Sequence, residues 1–270
     1  MQKQLLMLFV SFLSHRMDKI MSDIFHNKVM LVTGASGGIG RAIAEEASKQ
    51  GITVLIHYRK NKAGAEQSLK EVEKYAKGAI FSADLSEYEE VKKLFEDIKK
   101  TGYTAIDYLI NNAGESAVGS LSDMNVWDSQ LKNIFLSQVY TSNEFITFNI
   151  SENIRKIINI SSVYGFPEMG NPDYIQYSAA KAAVNNLTVN LAKKFAPKIH
   201  VNAVAPGYTL TPAWEGTSKE ELSACENLTQ IKRLTKPIEV ASMVMALLSN
   251  DAITGEIIRV DGGLHLLNLK

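Results

Sequence analysis

The sequence predicts an α/β fold: a single doubly wound domain with helices on both faces of a mostly parallel sheet. Short apolar runs rich in β-branched residues alternate with longer amphipathic stretches from Lys28 onward. Glycines and helix-capping residues separate these segments, as they do at the ends of helices. With 270 residues, of which 46% are hydrophobic and 21% charged, the composition is that of a globular domain with a full core.

Seven segments are predicted to be strands. Most are nearly continuous apolar runs, which is typical of parallel strands that helices cover on both faces. Seven such segments are enough for a seven-stranded doubly wound sheet. The segments are residues 29–32, 53–57, 79–81, 106–110, 156–160, 200–205 and 256–260.

The helical stretches between them carry their own start and stop signals. Ser86 followed by Glu89 has the pattern of a capping box, and Gly102 marks the end of the same helix. Gly51 and Gly78 are expected to end the two preceding helices in the same way. Pro237 suits the first turn of a late helix. The expected buried positions are Val91, Leu94, Phe95 and Ile98 in the first of these helices, and Val240, Val244 and Leu247 in the last.

Residues 1–27 are set apart from the predicted domain of residues 28–270. Their apolar run, LLMLFVSFL, matches the core of a signal peptide in length, but no small-residue cleavage site follows it. The run is also far shorter than a membrane-spanning helix requires. We expect either a helix that packs on the domain or an upstream start codon, because Met17 and Met21 closely precede the first strand.

Charge and cysteine content exclude several classes of protein. The chain has 29 basic and 29 acidic residues and therefore no net charge, which argues against nucleic acid as a partner. The single cysteine, Cys225, supports neither a disulfide framework nor a zinc site of several cysteines, and we expect no bound metal. The same observation favours a reducing compartment, the cytoplasm, and no membrane partner is expected.

A glycine-rich turn joins the first predicted strand to the first helix. It reads TGASGGIG from Thr33 to Gly40. Glycines let the backbone turn tightly and approach a pyrophosphate, while the helix N-terminus offers free N–H groups and the positive end of its dipole. A strand, a glycine turn and a helix in this order predict a dinucleotide-binding domain of the Rossmann type.

Three further motifs follow the glycine turn in order: NNAG at 111–114, NISS at 159–162 and YSAAK at 177–181. Together the four motifs resemble those of the short-chain dehydrogenase/reductase family, and in particular its 3-oxoacyl-acyl-carrier-protein reductases. The resemblance spans residues 28–263. It implies an oxidoreductase that transfers a hydride between a nicotinamide cofactor and a small-molecule ketone or secondary alcohol.

Tyr177 and Lys181 stand four residues apart in a helical stretch and therefore share one helix face. A lysine ammonium close to a phenol favours the phenolate, which lets Tyr177 exchange a proton with the substrate oxygen. The resemblance implies that Lys181 also holds the nicotinamide ribose. It further implies that Ser162, the second serine of NISS, donates a hydrogen bond to the substrate carbonyl.

The family's fourth catalytic residue is an asparagine in the helix after NNAG. Counted without gaps from Trp127, its position falls on Ile134, whereas Asn133 lies one residue earlier, about 100° around a helix. A local deletion or a π-bulge would bring Asn133 into the catalytic site. Without one, Asn133 is an ordinary solvated residue.

The end of the second strand indicates the choice of cofactor. It carries Arg59 and Lys60 and no acidic residue, so it suits the 2′-phosphate of NADP(H) better than the ribose hydroxyls of NAD(H). Against this, the glycine turn has Gly37 at a position where many NADP-binding relatives have an arginine. The resemblance implies further cofactor contacts at Thr33, Gly34, Ser36, Gly38, Ile39, Gly40, Asp84, Leu85, Asn112, Ala113, Gly114, Tyr177, Lys181, Pro206, Gly207, Thr209 and Thr211.

Substrate contacts are expected from residues 115–120, 164–169 and 208–220, which follow strands at the ligand-binding edge. Residues 206–230 form a long irregular substrate loop or helical flap, and the loop at 166–171 is slightly longer than in relatives. Acyl-thioester ketones, steroid-like ketones, sugars and pteridines all stay open. The main alternative is a regulatory or scaffold protein that binds a dinucleotide without catalysis. An epimerase or dehydratase is a weaker alternative.

Relatives commonly form tetramers, which implies a homotetramer or homodimer here. Two long helical stretches, 127–148 and 173–195, and the C-terminal strand are the expected contact surfaces. The apolar LHLL cluster near the C-terminus would be exposed in a monomer.

Overall fold

The computed structural model describes residues 24–148 and 154–267, which fold around one seven-stranded sheet. All seven strands are parallel, in the order β3-β2-β1-β4-β5-β6-β7. Each predicted strand is confirmed, with ends that move by at most two residues. The strands are β1 Val29–Val32, β2 Thr53–Tyr58, β3 Gly78–Ser82, β4 Tyr108–Asn111, β5 Arg155–Ile160, β6 Ile199–Pro206 and β7 Ile257–Val260.

Helices cover both faces of this sheet, as predicted. Alternate residues of β1 show the two layers, since Met30 and Val32 belong to one core cluster and Leu31 to the other. The expected buried positions of the early and late helices are all buried. The helices are α1 Gly38–Lys49, α2 Lys62–Val72, α3 Tyr88–Lys100, α4 Met124–Gln130, α5 Ser137–Phe148, α6 Ile175–Phe195, α7 Lys219–Leu228 and α8 Pro237–Ser249, with a π-helical segment Leu131–Leu136 between α4 and α5.

The strand order fixes where a ligand binds. From β1 the chain winds outward through β2 and β3, then returns to place β4 on the other side of β1. The connections leave in opposite directions on either side of this point, which opens a crevice at the carboxyl ends of β1 and β4. The glycine turn follows β1 and the NNAG motif ends β4, so both motifs meet at the crevice.

Two predicted helix boundaries are wrong. α3 begins at Tyr88 without a side-chain cap, and the Ser86 hydroxyl instead donates to Asp84 Oδ1 at 2.7 Å. The predicted capping box therefore does not form, because its serine is used by the preceding loop. Gly78 opens β3 rather than ending a helix. Gly51 and Gly102, with φ of 82° and 95°, do follow helix ends, and Pro237 begins α8 as expected.

Only the last residues of the predicted extension, 24–27, are described, and residues 1–23 lie outside the described part. Phe25 is completely buried and packs edge-on against Tyr108, with ring centroids 6.2 Å apart. Packing on the domain thus begins before Lys28. Within residues 24–148 and 154–267, no helix has the length and apolarity needed to cross a membrane.

Candidate active site

One groove of about 1490 Å³ runs along the carboxyl ends of the strands. The glycine turn, the end of β2 and the NNAG motif form one end of it. NISS, the start of α6 and the segment after β6 form the other. Every predicted catalytic or cofactor-binding residue except Thr33 and Gly40 lines this groove.

The glycine turn has the backbone that a pyrophosphate site requires. Gly34 and Gly38 have φ of 65° and 56°, a left-handed conformation that favours glycine. A Cβ on Gly34 would lie 2.9 Å from Ala113 Cα, so only glycine lets these two loops approach. α1 begins at Gly38, and the N–H groups of its first turn have no partners within the helix. The turn therefore fits the phosphates of a dinucleotide.

Thr33 and Gly40 lie behind the groove wall instead of on it. The Thr33 hydroxyl oxygen accepts hydrogen bonds from the backbone N–H groups of Asn112 and Ala113, at 2.9 and 3.0 Å. A Cβ on Gly40 would lie 2.5 Å from Asn112 Nδ2. Both residues hold the NNAG motif against the glycine turn, so their contribution to a cofactor site is indirect.

His57 also supports the glycine turn, a role that the sequence analysis missed. Its Nδ1 accepts from the Gly34 N–H at 3.2 Å and its Nε2 donates to the Ala83 carbonyl at 3.0 Å, which fixes one tautomer of a neutral ring. Burial lowers the pKa of His57 to about 4, against the effect of the Ala83 hydrogen bond. A histidine in an apolar strand has no sequence signal that separates this role from ordinary packing.

Ser162, Tyr177 and Lys181 meet at the other end of the groove. Ser162 follows β5, and Tyr177 lies in the first turn of α6 with Lys181 one turn later. Lys181 Nζ lies 5.6 Å from the centroid of the Tyr177 ring and donates to the Ile160 carbonyl at 2.7 Å. The longer loop at 166–171 has not displaced Ser162 from the groove, where its side chain acts on the pKa of Tyr177.

The protonation of this group differs from the sequence expectation. Burial raises the pKa of Tyr177 to about 12, although the hydrogen bond with Ser162 acts to lower it. Burial also lowers the pKa of Lys181 to about 7. At neutral pH Tyr177 is a protonated phenol, and burial moves its pKa further from neutrality.

A buried amide network holds the two strand ends that carry these motifs. Asn111 Nδ2 donates to Asn159 Oδ1 at 2.9 Å and to Ser142 Oγ at 3.0 Å. Asn159 Nδ2 in turn donates to Thr188 Oγ1 of α6 at 2.9 Å. The first asparagines of NNAG and NISS thus join β4, β5, α5 and α6. This fixes the position of Ser162 relative to the helix that carries Tyr177.

The π-helical segment lies where the sequence allowed a π-bulge, but it does not bring the Asn133 amide to Lys181. Ile134 is completely buried and packs with Ala180 and Val184 of α6. The side chain of Asn133 bonds to Arg59 and Ser129 instead. The position beside the catalytic helix is therefore apolar, and a catalytic role for Asn133 stays an untested prediction.

The end of β2 forms a basic rim on the groove. Arg59 and Lys60 are both exposed there, near Asp84. Burial acts to raise the pKa of Asp84, but hydrogen bonds from Ser86 and the charges of Arg59 and Lys60 lower it overall. Asp84 is thus ionised at neutral pH, with one carboxylate oxygen held by Ser86.

Aromatic side chains surround the end of the groove at which substrate contacts are expected, called here the substrate end. The hydroxyls of Tyr164 and Tyr208 lie 2.9 Å apart, and Asn171 Nδ2 donates to Tyr164 at 3.1 Å. Trp214 packs edge-on against Tyr208, with centroids 5.9 Å apart. The segment 206–230, expected to be either an irregular loop or a helical flap, contains the helix α7. Sequence reasoning missed three wall residues: Glu221 and Cys225 of α7, and Tyr174 directly before α6.

Other expected substrate residues lie away from this wall. Phe166 and Glu168 contact Arg259 of β7. Met169 and Glu215 do not line the groove either. Large apolar and acidic residues in loops occur both in pockets and in loop packing, so the sequence alone does not separate the two.

Comparisons with known proteins agree with this arrangement. A family model described as Enoyl-(Acyl carrier protein) reductase matches residues 34–265. The 3-oxoacyl-[acyl-carrier-protein] reductase FabG of Aquifex aeolicus is 37% identical over 245 residues, which cover 88% of this chain and 97% of FabG. Glucose 1-dehydrogenase 2 of Bacillus subtilis is 34% identical over 252 residues, covering 88% of this chain and 95% of that enzyme.

A solved structure shows the same likeness. The angucycline C-6 ketoreductase LanV with bound NADP superimposes with a TM-score of 0.81 at 30% identity, covering 88% of this chain and 96% of LanV. The four ordered motifs, the sheet topology and these matches over most of the chain lead to one conclusion. The chain belongs to the short-chain dehydrogenase/reductase family.

Proposed function

We propose that the protein is an NADP(H)-dependent oxidoreductase that reduces a ketone to a secondary alcohol. The observation that carries this proposal is the meeting of Ser162, Tyr177 and Lys181 in one groove with a glycine turn built for a dinucleotide. The relatives named above include a 3-oxoacyl-thioester reductase and a ketoreductase with bound NADP.

The chain's own residues account for the proton. The nicotinamide ring supplies the hydride when the cofactor is bound. Ser162 donates a hydrogen bond to the ketone oxygen and stabilises the negative charge that develops there. Tyr177, a protonated phenol at neutral pH, donates its proton to the same oxygen.

Lys181 stabilises what Tyr177 leaves behind. After proton donation a phenolate lies in a buried site, where an opposite charge has a strong effect. Lys181 Nζ lies close to the ring and is anchored to the Ile160 carbonyl, so its charge is held in place. With a pKa of about 7, Lys181 is partly protonated near neutral pH.

The proposed substrate is an extended ketone such as a 3-oxoacyl thioester. The name of the Aquifex aeolicus relative, 3-oxoacyl-[acyl-carrier-protein] reductase, gives this class as its substrate. The aromatic rings of Tyr164, Tyr208 and Trp214 form a wall that suits an acyl chain. The chain also resembles a glucose dehydrogenase, but the Tyr164 and Tyr208 hydroxyls that could bind a sugar are already hydrogen-bonded to each other.

The proposed cofactor is NADP(H) in preference to NAD(H). Arg59 and Lys60 form a basic rim at one end of the groove, and the Lys60 ammonium has no hydrogen-bond or ion-pair partner among the described residues. The Arg59 guanidinium and the Lys60 ammonium suit a 2′-phosphate, whereas the ribose hydroxyls of NAD(H) are usually bound by a carboxylate. LanV, at 30% identity, holds NADP.

We further propose that the protein assembles as a homotetramer or homodimer and is located in the cytoplasm. Exposed faces of the long helices and an edge strand support the assembly. The single cysteine supports a reducing compartment.

Tyr177→Phe is the substitution that tests the mechanism. The screen measures NADPH oxidation with ketones of graded size, beginning with 3-oxoacyl thioesters. On any substrate found, Tyr177→Phe is expected to lower kcat by at least ~10²-fold, because proton transfer is lost in the transition state. The dissociation constant for NADPH is expected to stay within about three-fold, since the phenol is one of many groups along the groove.

Tyr75→Phe is the matched control, because Tyr75 is exposed and lies outside the groove. Its kcat should equal that of the unchanged protein. Full activity of Tyr177→Phe would show that another group donates the proton. NADPH binding without turnover of any ketone would instead favour the regulatory alternative.

A further inference from the structure

Asn133 lines the groove and bonds to Arg59 at the end of β2. We infer that Asn133 positions the guanidinium of Arg59 for the 2′-phosphate of the cofactor, and so acts as a specificity-determining residue. This inference rests on the proposed NADP(H) preference. It gives Asn133 a function at the adenosine end of the groove in place of a proton relay at Lys181.

Both ends of the Asn133 amide have partners, which fixes its orientation. Nδ2 donates to the Ser129 carbonyl at 2.8 Å and to Ser129 Oγ at 3.1 Å. Oδ1 is thereby turned outward and accepts from Arg59 Nη1 at 3.1 Å. Arg59 precedes Asn133 by 74 residues in the chain, so this bond joins the loop after β2 to the helical segment after β4.

The local helix geometry explains why Asn133 points this way. Ile134 faces α6 and is buried against Ala180 and Val184. Neighbouring residues on a helix point about 100° apart, so burial of Ile134 turns Asn133 away from α6. The Ser137 hydroxyl donates to the Asn133 carbonyl at 2.8 Å, which closes the wide turn of the π-helical segment.

The chemistry of the pair suits phosphate binding. Arg59 is exposed, and Asn133 is its side-chain partner among the described residues. A long exposed side chain loses rotamer entropy when a ligand orders it, and an existing hydrogen bond removes part of that cost. Because the Asn133 amide is neutral, Arg59 keeps its full charge and most of its five N–H donors for the phosphate.

The experiment measures dissociation constants for NADPH and NADH by the change in their fluorescence. Asn133→Ala is expected to weaken NADPH binding about five-fold and to leave NADH binding within about two-fold, since a hydrogen bond to a charged group is lost. Asn133→Asp should weaken NADPH binding further, because a carboxylate neutralises Arg59 and repels the phosphate. Asn143→Ala, an exposed asparagine of α5 outside the groove, is the matched control.

A double-mutant cycle tests whether Asn133 acts through Arg59. In an Arg59→Ala background, Asn133→Ala should have no further effect on NADPH binding. An unchanged ratio of the two dissociation constants in Asn133→Ala, with a lower kcat and a shifted pH profile, would overturn the inference and support the proton relay. If the unchanged protein binds NADPH and NADH equally, the proposed cofactor preference is wrong and the inference is wrong with it. If the preference is present and Asn133→Ala keeps it, only the inference is wrong.

Discussion

Burial determines the protonation state of three side chains that line or support the groove. It raises the pKa of Tyr177 to about 12, and it lowers that of Lys181 to about 7 and that of His57 to about 4. Each shift favours the neutral form, which is the usual effect of a low dielectric. A neutral Tyr177 suits the proposed role of proton donor, and a neutral His57 can accept from Gly34 while it donates to Ala83.

His57 should therefore make the fold sensitive to acid. Its pKa is about 4 in the folded protein, against 6.5 for an ordinary histidine, so the unfolded chain binds a proton first as the pH falls. The stability that the neutral ring contributes is complete above pH 6.5 and is lost between 6.5 and 4. Between these two pH values the free energy of unfolding of the unchanged protein should fall further than that of His57→Gln, by up to about 3 kcal/mol. Urea unfolding at each pH measures this difference.

The matched control for this prediction is His26→Gln, at an exposed position before β1. It should keep the acid sensitivity of the unchanged protein, and His200 and the carboxylates are the same in all three proteins. Parallel stability curves for the unchanged protein and His57→Gln would show that His57 does not control the effect.

At the residue scale, motifs predict a site better than they predict the direction of a side chain. Ser162, Tyr177 and Lys181 could be predicted, because strand ends and a helical spacing of four residues place them together. The positions of Thr33 and Asn133 could not. The direction of the Thr33 side chain is set by the hydrogen bonds that its hydroxyl accepts from the NNAG backbone. The direction of the Asn133 side chain is set by the π-helical segment and by burial of its neighbour Ile134.

At the element scale, the loop between β5 and α6 is attached to the edge strand β7. The guanidinium carbon of Arg259 lies 3.8 Å from the centroid of the Phe166 ring, and Arg259 also forms an ion pair with Glu168. The same loop carries Asn171, which bonds to Tyr164 in the substrate wall. The attachment thus positions one side of the substrate end of the groove.

Loss of this attachment should affect substrate binding more than chemistry. Arg259→Ala is expected to raise KM for the ketone about five-fold and to leave kcat and NADPH affinity within about two-fold. The free energy of unfolding should fall by roughly 1 kcal/mol or less, because the ion pair is partly exposed. Steady-state kinetics and urea unfolding measure the two effects.

Arg233→Ala is the control, since Arg233 forms a similar ion pair with Glu239 outside the groove. It should leave KM unchanged. A large fall in kcat for Arg259→Ala, with KM unchanged, would show that the loop controls the position of Ser162 or Tyr177 instead.

The sequence predicts an element well where its hydrophobic pattern determines its position. It predicts poorly the helix ends and loop contacts that depend on individual hydrogen bonds. The strands of the parallel sheet are buried on both faces, so apolar runs mark each of them within two residues. The predicted capping box at the start of α3 is wrong because Ser86 bonds to Asp84 instead. Hydrophobic periodicity carries no information about such a local hydrogen bond. The slightly longer loop at 166–171 was predicted, but its attachment to β7 depends on contacts across 91 residues.

At the scale of the whole molecule, several surfaces suit association. β7 is the last strand of the sheet, so one of its edges is unpaired among the described residues. Ala179, Ala182, Asn186 and Asn190 form an exposed face of small side chains along α6. The predicted exposure of the C-terminal leucines is only partly right, because Leu264 is buried, whereas Leu266 is 59% exposed.

These surfaces lead to the prediction that the protein is a tetramer or dimer at micromolar concentration. In a two-fold symmetric contact between α6 helices, each residue near the axis meets its own copy. Ala182→Glu should therefore place two like charges together without a solvent shell, and light scattering should show the mass reduced to half or less. The same change at Ala63, exposed in α2, is the control and should leave the mass as it is. A monomer in the unchanged protein would contradict assembly, whereas an oligomer that tolerates Ala182→Glu would move the contact from α6 to the edge of β7.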